Sequence, residues 1–223
     1  MTEKDKDQRQ RFERRWPVGI AIVAVVFLLA LLPGRLRFFP AWVLYALGLA
    51  VLLPVVAAGA SAGRSIWRRV ERVVTIIFFL ATLLGTLATL AVLIGAMLSR
   101  PTGITGRQLL ASSISTWVTN VLIFALLYWQ VDRGGPEARL NSAEVRPDWL
   151  FPQEGAPAAD VPAGWQAAFV DYLFVAYTTG TAFSPTHALP LTVRAQLLMM
   201  LESAISLVTI IVVAARAINI LGS

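Results

Sequence analysis

Two acids in this chain of 223 residues, Asp171 and Glu202, sit in or beside apolar runs, in a sequence 57% hydrophobic and 14% charged. An ionised carboxyl at a bilayer centre costs about 2.5–3.5 kcal/mol on insertion scales, so it faces a partner, water or an ion. Between the two acids lies YTTGTAFSPTHALPLTVRA, residues 177–195. Its residues Thr178, Thr179, Gly180, Thr181, Ala182, Phe183 and Ser184 read as a filter-like constriction that offers oxygen ligands. Asp171 is read either as a charge near a pore mouth or as a helix-start residue paired with Arg194 or Arg216. Glu202 is read as an intramembrane functional group, or as a carboxyl bonded to a serine of the fourth helix or to Asn120. His187 could titrate near neutral pH, but a lone histidine in a proline-flanked turn is also an ordinary solvated residue.

Other chemistries are excluded by residue type. Cysteine is absent and His187 is the one histidine, so there is no thiol chemistry and no Cys/His metal set. No glycine-rich phosphate loop and no nucleophile with a histidine partner appears. The expectation is a protein without catalytic residues, cofactor or metal. The net charge of +6 arises from basic residues between apolar segments. There it acts on topology and lipid headgroups rather than on nucleic acid.

These residues need elements to hold them. Residues 1–16 form a polar tail, and residues 17–107 a three-helix membrane region with helices at about 17–33, 40–60 and 73–98. Arg64, Arg68, Arg69 and Arg72 form a topology and lipid-binding cluster before the third helix. Residues 108–223 form a pore-like region: a helix at about 108–131, a polar linker at 132–164 that is either solvated or a small surface cap, a pore-helix-like segment at 165–190 and a last helix at 192–221. Tyr128 and Trp129 read as interface anchors. Thr75, Thr82, Thr86 and Thr89 line one helix face, and so do Ser112, Thr116 and Thr119 with Asn120. Glu202, Ser206 and Thr209 do the same on the last helix. Such faces pack helices together through interhelical hydrogen bonds. Residues 165–178 as a helix span roughly 20 Å, the length of a half-helix; carried to Phe183 they just reach across.

With the N-terminus inside, fourteen of the nineteen Lys and Arg lie on the cytoplasmic side. The tail supplies six, the 64–72 loop four and the linker three, with either Arg194 or Arg216 as the last. The positive-inside rule therefore puts the N-terminus in the cytoplasm, for five crossings and for six alike.

The stretch FVDYLFVAYTTGTAFSPTHALPLTVRAQLLMMLESAISLVTIIVVAARAIN, with LLYWQVDRGGP and FPQ before it, resembles the C-terminal part of a family of uncharacterised bacterial integral membrane proteins. Its layout, over residues 108–221, is also similar to the pore helix, filter and inner helix of small bacterial potassium channels. That resemblance implies an oligomer, by analogy a tetramer, passing monovalent cations. The usual filter reads T-T-V-G-Y-G-D. Here Ala182 and Ser184, or in the other register Thr181 and Phe183, stand where its glycines belong. Residues with a Cβ adopt that backbone reluctantly, so potassium selectivity is not inherited.

The sequence thus predicts an all-α integral protein of the bacterial inner membrane, with five or six transmembrane helices and a pore-loop-like segment before the last. Its expected surroundings are the lipid bilayer and copies of itself. The expected function is a pore-loop ion channel or channel-like permeation protein. The alternatives are a non-conducting scaffold or accessory protein, and a small proton-coupled transporter using Glu202 and Asp171.

Overall fold

The structure, a computed structural model, describes residues 16–34, 40–60, 65–99, 106–141, 145–157, 159–162, 165–181 and 188–221. Helices make up most of it: α1 (Trp16–Leu31), α2 (Ala41–Ala60), α3 (Ser65–Ser99), α4 (Gly106–Val131), α5 (Pro136–Asn141), α6 (Pro152–Gly155), α7 (Phe169–Gly180) and α8 (Val193–Leu221). A 3-10 turn, Asp132–Gly134, follows α4. Strand β1 (Trp149–Leu150) pairs antiparallel with β2 (Leu189–Pro190), Trp149 opposite Pro190.

Three helices are long and apolar enough to cross a membrane, through Arg72–Gly95, Arg107–Gly134 and Val193–Ala215. α1 and the stretch Tyr45–Val55 of α2 are apolar but shorter. The long helices turn apolar side chains outward: Val73, Ile77, Leu80 and Leu84 on α3, and Leu197, Met200, Leu207 and Ile211 on α8 are all exposed. The polar stripes turn inward, and Thr75, Thr82, Thr86, Thr89, Ser112, Thr116, Thr119 and Asn120 are buried. In water such an arrangement would be unfavourable; in lipid, where apolar contact outside costs nothing, small and polar residues are the ones that pack helices.

Three hydroxyls of these stripes bond along their own helix rather than across to a neighbour. Thr86 donates to the Thr82 carbonyl (2.8 Å), Thr116 to Ser112 (2.8 Å) and Thr209 to Ile205 (2.7 Å). Each satisfies its donor on the preceding turn, so these stripes are chiefly compact packing surfaces.

α4 is the hub. It packs against α1, α3, α7 and α8, and 61% of its membrane window is buried, against 39% for α3 and 33% for α8. The regions 17–107 and 108–223 thereby share one interior. α3 starts at Ser65, earlier than the apolar periodicity suggests, because its arginines and Glu71 are good helix formers.

The linker after α4 is a folded cap rather than a solvated tether. Asp132, Asp148, Trp149 and Phe151 are buried in it. Past Asp132 the chain leaves the helix through left-handed backbone at Arg133 (φ 51°), followed by Gly134 and Gly135. A Cβ on Gly135 would stand 3.0 Å from the Gln130 carbonyl oxygen and 3.2 Å from Nη2 of Arg72. The base of α3 therefore lies beside this turn. Arg139 donates to the carbonyls of Trp129 (2.7 Å) and Asp132 (3.1 Å), placing a cation on the C-terminal end of α4.

α7 has 12 residues and rises roughly 18 Å, well short of a hydrocarbon core of about 30 Å. Its first turns lie at the C-terminal end of α4, where Phe169 meets Trp129 edge-on with ring centroids 6.4 Å apart. Its last residue lies against Trp117, roughly 18 Å further down α4, where the indole Nε1 donates to the Gly180 carbonyl (3.1 Å). The chain then comes back: Leu191 N–H donates to the Asp148 carbonyl (2.8 Å), and α8 starts at the end where α7 began.

Candidate functional site

Between Arg72 and Arg216, charged side chains are confined to helix ends and connections, with one exception: Glu202. It is the tenth residue of α8, roughly 14 Å along that helix and close to the middle of the span Val193–Ala215. Asn120 is likewise close to the middle of Arg107–Gly134. Both are completely buried.

The two meet because α4 and α8 run antiparallel. Tyr128 Oη donates to Glu202 Oε2 (2.5 Å). One turn along α8, Asn120 Nδ2 donates to Ser206 Oγ (2.9 Å) and also to the Glu202 carbonyl (3.3 Å). α7 closes the third side. A Cβ on Gly180 would stand 3.0 Å from Val121 Cγ2, 3.1 Å from Ser206 Oγ and 3.7 Å from Glu202 Oε1. Glycine is required there because two helix surfaces approach its backbone. Ser203 Oγ donates to the Thr179 carbonyl (3.3 Å). The half-helix thus presents its C-terminal, partially negative end to the cluster.

Three oxygens in this cluster are buried without a partner: Glu202 Oε1, Asn120 Oδ1 and Thr179 Oγ1. Buried polar atoms are rarely left unsatisfied, and each instance asks for a ligand, a water or a redistribution of protons. All three are acceptors of the kind that binds protons or hard cations. No histidine, lysine or arginine bonds to Glu202 among the described residues.

The other sequence candidates fall elsewhere. Asp171 is in the first turn of α7, where its Oδ2 accepts the Ala168 N–H (2.8 Å), a helix-start role favoured by the helix dipole. It makes no ion pair with Arg194, whose guanidinium is bonded instead to Asp148 and to the Val131 carbonyl (3.2 Å). Thr178 and Thr181 bond back to carbonyls of α7, while Thr179 and Gly180 are buried against α4 and α8. Ala182, Phe183, Ser184, His187 and Arg64 lie outside the described residues. Arg68 and Arg69 belong to the first turns of α3, and Arg72 is exposed.

Sequence reasoning missed the partner of Glu202. Tyr128 and Trp129 are fully buried, not anchored in a lipid interface. A signal was present: Ser112, Thr116, Asn120, Phe124, Tyr128 and Asp132 follow one another at steps of four, a continuous row on a helix surface.

The base of this row is a second buried cluster. Asp132 Oδ2 accepts from Tyr172 Oη (2.5 Å) and Oδ1 from the Asp148 N–H (2.7 Å). Asp148 accepts from Thr192 Oγ1 (2.6 Å) and pairs with Arg194. Thr192 Oγ1 in turn caps α8 at the Ala195 N–H (3.2 Å). Nearby, partial burial pushes the Glu154 carboxyl above its ordinary range while its partner Arg133 pulls it down.

On the outer side of α7 an open apolar groove of about 410 Å³ runs between it and α4, lined by Trp117, Val121, Leu173, Phe174 and Tyr177 among others. No family model, curated protein or solved structure matches the chain.

Proposed function

We propose that this protein moves a small cation, a proton or a monovalent metal ion, across the membrane, with Glu202 as the group that carries it. The observation that carries this reading is the unpartnered Oε1 of Glu202, buried at mid-span against the C-terminal end of a half-length helix. Discontinuous helices that end at the midplane, with carbonyl ends and a carboxylate facing one point, are how membrane transporters build cation sites. α1 and α2 are taken to cross with the three longer helices, and α7 to dip in and return, giving five crossings. The arginines at 64–72 and the cap then share the cytoplasmic face of a bacterial inner membrane, as the positive-inside rule favours.

Because Thr179, Gly180 and Glu202 are enclosed by helices of the same chain, an ion reaches them only if α7 shifts. Transport is therefore of the alternating, carrier type. A pore-loop channel is a second reading, favoured by one observation: the course of α7, in and back at one end of α4. That reading requires an oligomer with residues 178–184 around a shared axis.

The test is flux in proteoliposomes of the full chain, with a trapped pH indicator, a clamped membrane potential, and sodium, potassium or choline as the external cation. The carrier reading expects slow, saturable flux that Glu202→Gln abolishes. Flux at channel rates that is indifferent to Glu202→Gln supports the pore. Folded protein that moves no ion under any gradient leaves a scaffold or accessory role and overturns both.

A further inference from the structure

Resting on that transport reading, we propose that the cluster at the end of α7 is a binding site for a partly dehydrated alkali-metal cation, held by Glu202 Oε1, Asn120 Oδ1 and Thr179 Oγ1.

The argument is one of donors and acceptors. Asn120 commits its nitrogen to α8, donating to Ser206 Oγ (2.9 Å) and the Glu202 carbonyl (3.3 Å). Its oxygen is left without a donor, as are Thr179 Oγ1 and Glu202 Oε1. A proton on Oε1 adds one donor, and the Thr179 hydroxyl, the other donor present, bonds to none of these oxygens as they stand. A cation satisfies several acceptors at once.

Charge points the same way. Tyr128 Oη already donates to Oε2 (2.5 Å), so one carboxyl oxygen is held in place and the other is left to a ligand. An ionised carboxylate in a dry interior needs a counter-charge. The groups beside it are Tyr128 from α4 and Gly180 from α7, with Asn120 and Ser206 one turn along α8. α3 carries no charged residue between Arg72 and its end at Ser99. None of these supplies a positive charge.

The ligand set defines the ion. Carboxylate, amide and hydroxyl oxygens are hard ligands, which select alkali or alkaline-earth ions over soft metals. One carboxylate neutralises one positive charge, and a divalent ion would leave a net charge stranded in low dielectric. The C-terminal end of α7 adds only a partial negative charge.

The experiment is thermal unfolding of the purified full-length protein in lipid nanodiscs, followed by fluorescence of its 7 tryptophans. It is run at pH 8 and constant ionic strength in sodium, lithium, potassium or choline chloride. A cation at a hundredfold excess over its Kd is expected to raise Tm by roughly 5–10 °C relative to choline. The near-isosteric Thr179→Val, and separately Glu202→Gln, are expected to lose that shift, while Ser113→Ala, on α4 but outside the cluster, keeps it. Equal Tm in all four salts overturns the site, as does a cation shift that survives both Thr179→Val and Glu202→Gln. If the salts are equivalent but flux still requires Glu202, the proton is the carried ion and only the metal site falls. A cation shift without flux retains the site and sinks transport.

Discussion

Among the described residues three carboxylates are buried, Asp132, Asp148 and Glu202, and they are treated differently. In the cap, every oxygen of Asp132 and Asp148 has a partner: Tyr172, the Asp148 N–H, Thr192 and Arg194. At mid-span, Glu202 has one oxygen bonded and one bare. A fully partnered buried acid fixes structure, since removing any member strands the others. A half-partnered acid leaves free energy on offer to something that arrives. A buried carboxyl is thus fully bonded at the end of α4 and left half-bonded where α8 faces it.

The sharpest way to break this contrast is to remove a fully bonded acid. Asp132→Ala strands the Tyr172 hydroxyl and the Asp148 N–H, and it should cost about 3 kcal/mol or more. The checks are the folded yield and the unfolding midpoint in nanodiscs. Gly180→Val comes next. Its side chain meets Val121 and Ser206 at 3.0–3.1 Å, so α7 must move off α4, at a cost of about 1–3 kcal/mol typical of overpacking. A cysteine pair spanning the tip of α7 and α4 would report the separation as lost crosslinking. Trp117→Phe removes one donor from the Gly180 carbonyl and should cost about 1 kcal/mol. It should also loosen the tip, seen as faster amide exchange at Thr179–Thr181.

The smallest stability effect belongs to Glu202→Gln. The glutamine oxygen still accepts from Tyr128, so unfolding in choline should change by less than about 1 kcal/mol. A loss as large as that of Asp132→Ala would make Glu202 a third structure-fixing acid and erase the distinction.

Much of this architecture was legible in the sequence. Apolar periodicity located the long helices to within a few residues, apart from the start of α3, because a stripe with a period of 3.6 admits few alternatives. The threonine and serine stripes are buried, as their spacing predicts, although Thr86, Thr116 and Thr209 bond their own helix instead of a neighbour. Glu202 stood out because a carboxyl within an apolar helix is conspicuous. Tyr128 did not, because an aromatic near a helix end looks the same whether it faces headgroups or the interior. A small cap was one of two readings of the linker, but the burial of its acids was hidden for a related reason: Asp132 and Asp148 look like solvated linker acids until the donors that face them are known. Those donors come from residues far along the chain, Tyr172, Thr192 and Arg194. No local pattern encodes such pairings.

The clasp of β1 on β2 has a consequence for synthesis of the chain. Trp149 and Leu150 leave the ribosome well before Leu189 and Pro190, their ladder partners. Until those partners and α8 emerge, α7 has neither the length to be retained by lipid on its own nor the second wall it docks against. The half-helix is therefore fully seated only once α8 has been made. A chain that stops before α8 leaves α7 and the acids of the cap without partners that Arg194 and Ser203 supply.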